Sequence, residues 1–263
     1  MTTVDKALSL LEHFSDERPE IGLSEFSRLS GFDKSAALRL LSALGRAGFV
    51  QQDQSSRRYR LGAAFLRYAR LRESTFPVTD ILRPIAERFR ALTNETVHIS
   101  LLNEDVLSII IVIESSHASR IHVTNGMTLP LYATSSGFCC LAFSDTATVE
   151  GWLSQPLETF SPKTLTDPRA IMAKLPKIRA QGYAMSDRAF DSDVTSVGAP
   201  IFDAQGKVFG AISIATPVSR SSAQDERAKA ALAIKFAVEA TRALFSNVPS
   251  WYLDIINPTN EAA

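Results

Sequence analysis

Four side chains on one short segment, Ser35, Arg39, Ser42 and Arg46, are spaced four, three and four residues apart. On a helix that spacing places them along one stripe. The stripe is polar, basic and slim, with the small residues Ala36 and Ala43 flanking it. Such a face can enter the major groove of duplex DNA, where serine and arginine hydrogen-bond to base edges. Lys34 and Ser35, at the start of the segment, stand nearest those edges. A second basic group, Arg57 and Arg58, begins eleven residues beyond Arg46, near the tip of an expected hairpin. There it suits backbone phosphates, which position a protein without reading sequence.

Other reactive side chains form weaker constellations. Cys139 and Cys140 are adjacent, and a thiolate at a helix start with His98, His117 or His122 as base would be a nucleophilic arrangement. An enzyme processing a small molecule through Cys139 or Cys140 is therefore the alternative class of function. No local motif accompanies the pair, and cysteines in the apolar run Phe138-Cys139-Cys140-Leu141 more often pack in a core. The histidines lack metal-ligand spacing, so no metal site is expected. Gly206 and Gly210 are too sparse for a phosphate-cradling loop, and no cofactor is expected either.

Charge distribution supports the DNA reading. The 263-residue chain has a formal net charge of zero, with 28 basic and 28 acidic residues. Between Arg28 and Arg72, however, ten basic residues face only Asp33 and Asp53, a net +8. A basic block of that size inside a neutral chain points to a polyanionic partner. The two cysteines exclude a disulfide framework. The longest apolar run, Val106 to Ile113, is too short for a bilayer, and residues 1–5 do not resemble a signal peptide, so a cytoplasmic location is expected.

The elements that must position these groups follow from periodicity. Val4, Ala7, Leu8, Leu11 and Phe14 predict a helix over 3–15. Ser24 is the expected N-cap of a second helix ending at Ser30, and Asp33 that of a third helix to about Ala47. Phe49–Gln52 and Arg58–Leu61 read as two strands around the turn Asp53-Gln54-Ser55-Ser56, a wing. A helix from Gly62 to about Ser74 follows, then another over 78–93.

Beyond Asn94, strands are expected at 97–102, 106–113 and 120–123. Helices are expected at 135–144, 146–154 and 167–181, the last kinked or interrupted by Pro176. Strands return at 183–186, 196–203 and 208–214 before a final helix over 222–245. The predicted fold class is α+β: a winged helix-turn-helix at 1–62, a linker helix at 63–76, an antiparallel α+β domain at 77–250, and a tail at 251–263. Ser135-Ser136-Gly137 precede a helix whose free N–H groups favour an anion, and the hydroxyls of Ser196 and Ser213 could complete a cup for a carboxylate.

The chain resembles the IclR-type bacterial regulators. The likeness runs through Ala7-Leu8-Ser9-Leu10-Leu11, Lys34-Ser35-Ala36-Ala37-Leu38-Arg39-Leu40-Leu41, Leu44-Gly45-Arg46-Ala47-Gly48-Phe49-Val50 and Tyr59-Arg60-Leu61-Gly62. It continues in Leu129-Pro130-Leu131-Tyr132-Ala133-Thr134-Ser135-Ser136-Gly137, Gly198-Ala199-Pro200-Ile201-Phe202-Asp203 and Gly210-Ala211-Ile212-Ser213-Ile214. The resemblance implies a GAF-like second domain that holds a small effector, a small organic acid being favoured. It implicates Leu129, Ser135, Ser136, Ser186, Val194, Ser196, Ser213 and Ala215 in the pocket, with Asp187 beside Ser186. Its implied partners are double-stranded operator DNA, a small-molecule effector and further copies of the chain as a dimer or tetramer, with no membrane. Phe138 departs from the family's usual lysine or arginine after the pocket glycine.

Overall fold

The computed structural model describes residues 1–256 and divides the chain after Pro77 into two compact units.

In the first unit, α1 (Thr3–Leu11) begins with a capping box between Thr2 and Asp5. It stops four residues short of the expected end, where Ser15 and Arg18 pair across a tight turn. The next helix, α2 (Leu23–Ser30), starts from Gly22, not Ser24, and no side chain caps it. Gly31 at φ 72° breaks it in the left-handed conformation that glycine adopts without a Cβ clash. Asp33 then caps α3 (Lys34–Arg46), its carboxylate accepting from the Ala36 N–H at 2.8 Å. The buried stripe of α3, Ala37, Leu40, Leu41 and Leu44, packs with Leu10, Ile21, Phe26, Val50 and Tyr59. The hairpin of β1 (Val50–Gln52) and β2 (Tyr59–Leu61) follows, and then α4 (Ala64–Thr75). Phe49 fixes the root of α4, edge-on to Phe65 and stacked on Tyr68.

The second unit begins with α5 (Val78–Thr93) and holds one antiparallel sheet in the order β5-β4-β3-β8-β7-β6. Its strands are β3 (Thr96–Asn103), β4 (Val106–Ile113), β5 (Thr128–Leu129), β6 (Ala184–Asp187), β7 (Val194–Phe202) and β8 (Val208–Pro217). One face of this sheet is covered by α5 and α9 (Ala223–Phe245), with Phe89 stacked on Phe236 between them. The opposite face carries α6 (Ser135–Phe143), backed by α8 (Pro168–Gln181), while α7 (Thr146–Trp152) joins them.

Three expectations change here. Residues 120–123 form no strand. They belong to a loop over 114–127 whose carbonyls are taken up elsewhere, Ile121 by the Thr96 hydroxyl at 2.8 Å and Ser119 by Arg220 at 2.7 Å. Helix α8 passes through Pro176 without interruption, because buried Ile171, Leu175 and Ile178 pin it from both sides. The expected tail begins as a helix, α10 (Ser250–Ile256), and Tyr252 on it is fully buried against Phe202. Residues 257–263 of that tail lie outside the described residues.

Candidate functional site

On α3, Lys34, Ser35, Arg39, Ser42 and Arg46 are all exposed; Ser35, Arg39, Ser42 and Arg46 share the face opposite the buried stripe, and Lys34 stands at the helix start beside it. Leu38 sits on one shoulder of that face, also exposed. The wing turn is held by Asp53, whose carboxylate accepts from the N–H groups of Ser55 and Ser56 and from the Ser55 hydroxyl. Those hydrogen bonds hold its carboxyl well below the usual range, so the turn keeps its form at any neutral pH. Arg57 occupies the left-handed region at φ 58° and is exposed at the wing. Arg58 behaves differently from the sequence expectation. Its guanidinium folds back to the Glu20 carbonyl at 2.5 Å and the Glu25 carboxylate at 3.1 Å, tying the wing to α2. Arg58 is thus ion-paired within this unit, while Arg57 stands exposed at the wing.

The second unit encloses a cavity of about 120 Å³, roughly ten times what one water needs. Strand alternation explains which residues reach it. Cross-strand partners run in rows: Ser186 opposite Ser196, opposite Ala215, opposite Thr96; and one step along, Gly198 opposite Ser213, opposite His98. Side chains in a row point to one face, here the face under α6. Gly198 is required in its row, since a Cβ there would come within 2.2 Å of the Ser213 Oγ and 3.2 Å of the Ser135 Oγ. Helix α6 approaches end-on. Thr134 caps it, accepting from the Gly137 N–H at 3.0 Å, and Thr134 and Ser135 line the cavity. The first-turn N–H groups of Ser135 and Ser136 have no preceding helical carbonyl to bond. Gly137 permits this entry, because a Cβ would lie 2.4 Å from the Leu131 backbone.

The remaining walls are largely apolar. Ile121, Val123 and Met127 from the 114–127 loop, Leu129 from β5, and Phe190, Val194 and Ala133 surround the space, with His122 and Asp191 adding polar groups. His122 also meets Glu114 at 3.0 Å. Among the described residues, no lysine or arginine lines the cavity.

Of the nine residues expected in the pocket, Leu129, Ser135, Ser186, Val194, Ser196 and Ala215 line it. Ser186 is committed to the Ala133 carbonyl at 2.7 Å. Ser136 and Ser213 lie one layer deeper, fully buried and 2.7 Å apart, so they support the cavity floor without forming it. Asp187 turns to the outside, because the strand period sends it to the face opposite Ser186; there it pairs with Lys163 and with Arg188 at 2.9 Å. Among the lining residues that sequence reasoning missed is His98. It is 6% exposed, lines the cavity, and places Nε2 3.2 Å from the Ser136 Oγ. Burial pushes its pKa down to about 4, so the ring is neutral. Its position two residues into an alternating strand was the available signal.

Cys139 and Cys140 are fully buried in the packed core of this unit. Burial raises Cys140 to about 12 and Cys139 well above the ordinary thiol value, so neither supplies a thiolate near neutral pH. Phe138 is buried too, with the Lys174 ammonium over its ring. Among the described residues, no three His, Cys, Asp or Glu side chains gather to hold a metal ion, and no helix is long and apolar enough to cross a membrane.

Comparison with known proteins matches both units. Residues 73–242 match the family described as bacterial transcriptional regulator IclR C-terminal, and residues 3–54 match the IclR helix-turn-helix domain. A crystal structure of an IclR-type transcriptional regulator from Silicibacter is 36% identical and superposes with a TM-score of 0.88, covering 95% of this chain and 99% of that one. The HTH-type transcriptional regulator XynR of Escherichia coli is 27% identical over 83% of this chain and 87% of its own length. An IclR homolog from Microbacterium hydrocarbonoxydans, crystallised in complex with 4-hydroxybenzoate, shares the fold at 22% identity and a TM-score of 0.75, covering 94% and 100% of the two chains.

Proposed function

This chain belongs to the IclR family of bacterial DNA-binding transcriptional regulators, and from that premise we propose which of its residues meet the operator and which meet the effector. In this reading Ser35, Arg39, Ser42 and Arg46, with Lys34 at the helix start, enter the major groove, while Arg57 neutralises a phosphate beside it. The observation that carries it is the single exposed polar face of α3, opposite its core stripe. Residues 1–62 then serve as the DNA-binding domain, 63–76 as the linker helix and 77–250 as the effector domain. The chain works as a dimer or tetramer, since two recognition helices read a two-fold operator better than one.

The effector is a small carboxylic acid with an apolar body. Support comes from the start of α6 on one side of the cavity and from walls that are mostly apolar, Ile121, Val123, Met127, Leu129 and Phe190, with His122 and Asp191 the polar groups among them. A helix start with oriented N–H groups suits a carboxylate without any lysine or arginine. The acid bound by the Microbacterium relative is of this class. The protein binds this ligand as a signal and does not turn it over, in keeping with thiols that stay protonated. The test is a thermal-shift screen of the purified chain against pyruvate, benzoate and 4-hydroxybenzoate, followed by operator-binding titrations with and without the hit. Stabilisation by one acid, with a changed operator affinity, is the expected result. Stabilisation only by cations or neutral sugars would sink the assignment.

A further inference from the structure

A buried carboxylate has to be matched by a cation, and the way this chain matches one leads to the cavity wall. Glu95 is 4% exposed, the one buried carboxylate among the described residues, and it stands between the end of α5 and the start of β3. Its partner is Arg220, at the end of the short turn Val218–Arg220 just past β8. The guanidinium meets Glu95 as a fork, Nε donating to Oε1 at 2.8 Å and Nη2 to Oε2 at 2.7 Å. Two bonds fix the plane of the group, so its remaining donor is aimed. Nη1 donates to the Ser119 carbonyl at 2.7 Å, in the middle of the 114–127 loop. Beside Glu95, the Thr96 hydroxyl donates to the Ile121 carbonyl at 2.8 Å, and the Asn94 carbonyl accepts from the Ser115 hydroxyl at 2.6 Å. Three consecutive residues thus take hold of one loop, Glu95 doing so through Arg220.

That loop brings Ile121, His122, Val123 and Met127 to the cavity lining, and no helix or strand runs through it. Bonds from outside the loop therefore decide where its apolar groups stand. Resting on the assignment of this cavity to the effector, we propose that Arg220 is a positioning residue for effector binding, which latches the 114–127 loop as a strap so that Ile121 and Val123 form a ready-made wall. A wall already in place spares the ligand the cost of ordering it. Lysine would not serve as well. Its ammonium can pair with Glu95, but it lacks the planar fork that directs a further donor to Ser119.

The experiment uses a protease site within the strap itself. Arg120 is exposed and lies between the two held carbonyls, so trypsin has to open the strap to cut after it. The full chain without ligand is digested, and fragments ending at Arg120 and at Lys174 in α8 are followed by mass spectrometry, the second cut reporting general unfolding. Arg220→Lys should speed the cut at Arg120 about tenfold or more and leave that at Lys174 within about twofold. Thr96→Val, which removes the bond to Ile121 and leaves the ion pair whole, should act in the same direction. Equal acceleration at both sites would mean a general loss of stability, and no acceleration at Arg120 would mean that these bonds do not hold the loop; either overturns the proposal. Dissociation constants for pyruvate, benzoate and 4-hydroxybenzoate are then measured in wild type and Arg220→Lys. The variant should bind the best acid about tenfold more weakly, and that acid should slow the cut at Arg120 in wild type. Unchanged affinity in a variant whose strap opens would refute the role in binding and leave the cavity assignment intact. Binding of none of the three acids by wild type would overturn the effector assignment and the binding role with it, while the digestion would still show whether Arg220 holds the strap.

Discussion

Arg39 lies at the middle of the exposed face of α3, and its replacement tests the groove assignment. Arg39→Ala should lower specific operator affinity by about 1–3 kcal/mol, read by fluorescence anisotropy on specific and scrambled duplexes. Arg57→Ala should weaken both duplexes alike and reduce the salt slope by about one, whereas Arg58→Ala should act mainly through loss of its tie to Glu25. His98 makes a prediction of another kind. Its folded-state pKa, about 4, lies below the ordinary value of 6.5, so between those pH values the unfolded chain binds more protons. Its contribution is therefore complete above pH 6.5 and is lost as pH falls toward 4, by about 3 kcal/mol in all. Acid denaturation followed by circular dichroism should show a shallower loss over that window in His98→Asn. The exposed polar face of α3 was legible as residue spacing, because a helix converts spacing directly into a stripe. Ser136, Ser213 and Asp187 were not: whether a strand or helix residue faces a cavity or lies one layer beneath it depends on register, which local sequence does not carry.

Helices and strands with strong periodicity and a cap appear where the sequence puts them, α3 behind Asp33 and α9 behind Ser222 most clearly. The 120–123 segment was misread for a physical reason. Its apolar–polar alternation is that of a strand, but β4 pairs with β5 instead, and the segment is left to build the cavity wall. Helix α10 was missed because it is short and is held by tertiary burial of Tyr252, not by helix propensity. Two element-level tests follow. Gly137→Ala would force a Cβ into the Leu131 backbone, so the start of α6 must shift; acid binding should vanish in calorimetry at a stability cost of about 1–3 kcal/mol. Tyr252 has a buried hydroxyl without a partner among the described residues. Tyr252→Phe should therefore be neutral or stabilising, while Tyr252→Ala should cost about 3–5 kcal/mol in chemical denaturation.

At the scale of the whole molecule, the chain divides into a basic unit that matches the IclR helix-turn-helix domain and a cavity-bearing unit. An effector that couples to operator binding should change operator affinity by about 5- to 150-fold, and DNA should change effector affinity by the same factor. The strand order of the second unit bears on how that unit assembles. β3 and β8 are neighbours in the sheet although more than a hundred residues separate them, and each flank of the sheet is otherwise made from strands closer in sequence. The cavity straddles this seam, with His98 on one side and Ala215 on the other. Closing so long a loop is slow, because its entropy must be lost before the contacts form. Ligand competence should thus arrive late in refolding, after helix formation. A bound acid should slow unfolding in stopped-flow experiments and leave the refolding rate nearly unchanged, so that the signal molecule acts on the lifetime of the regulator and not on its birth.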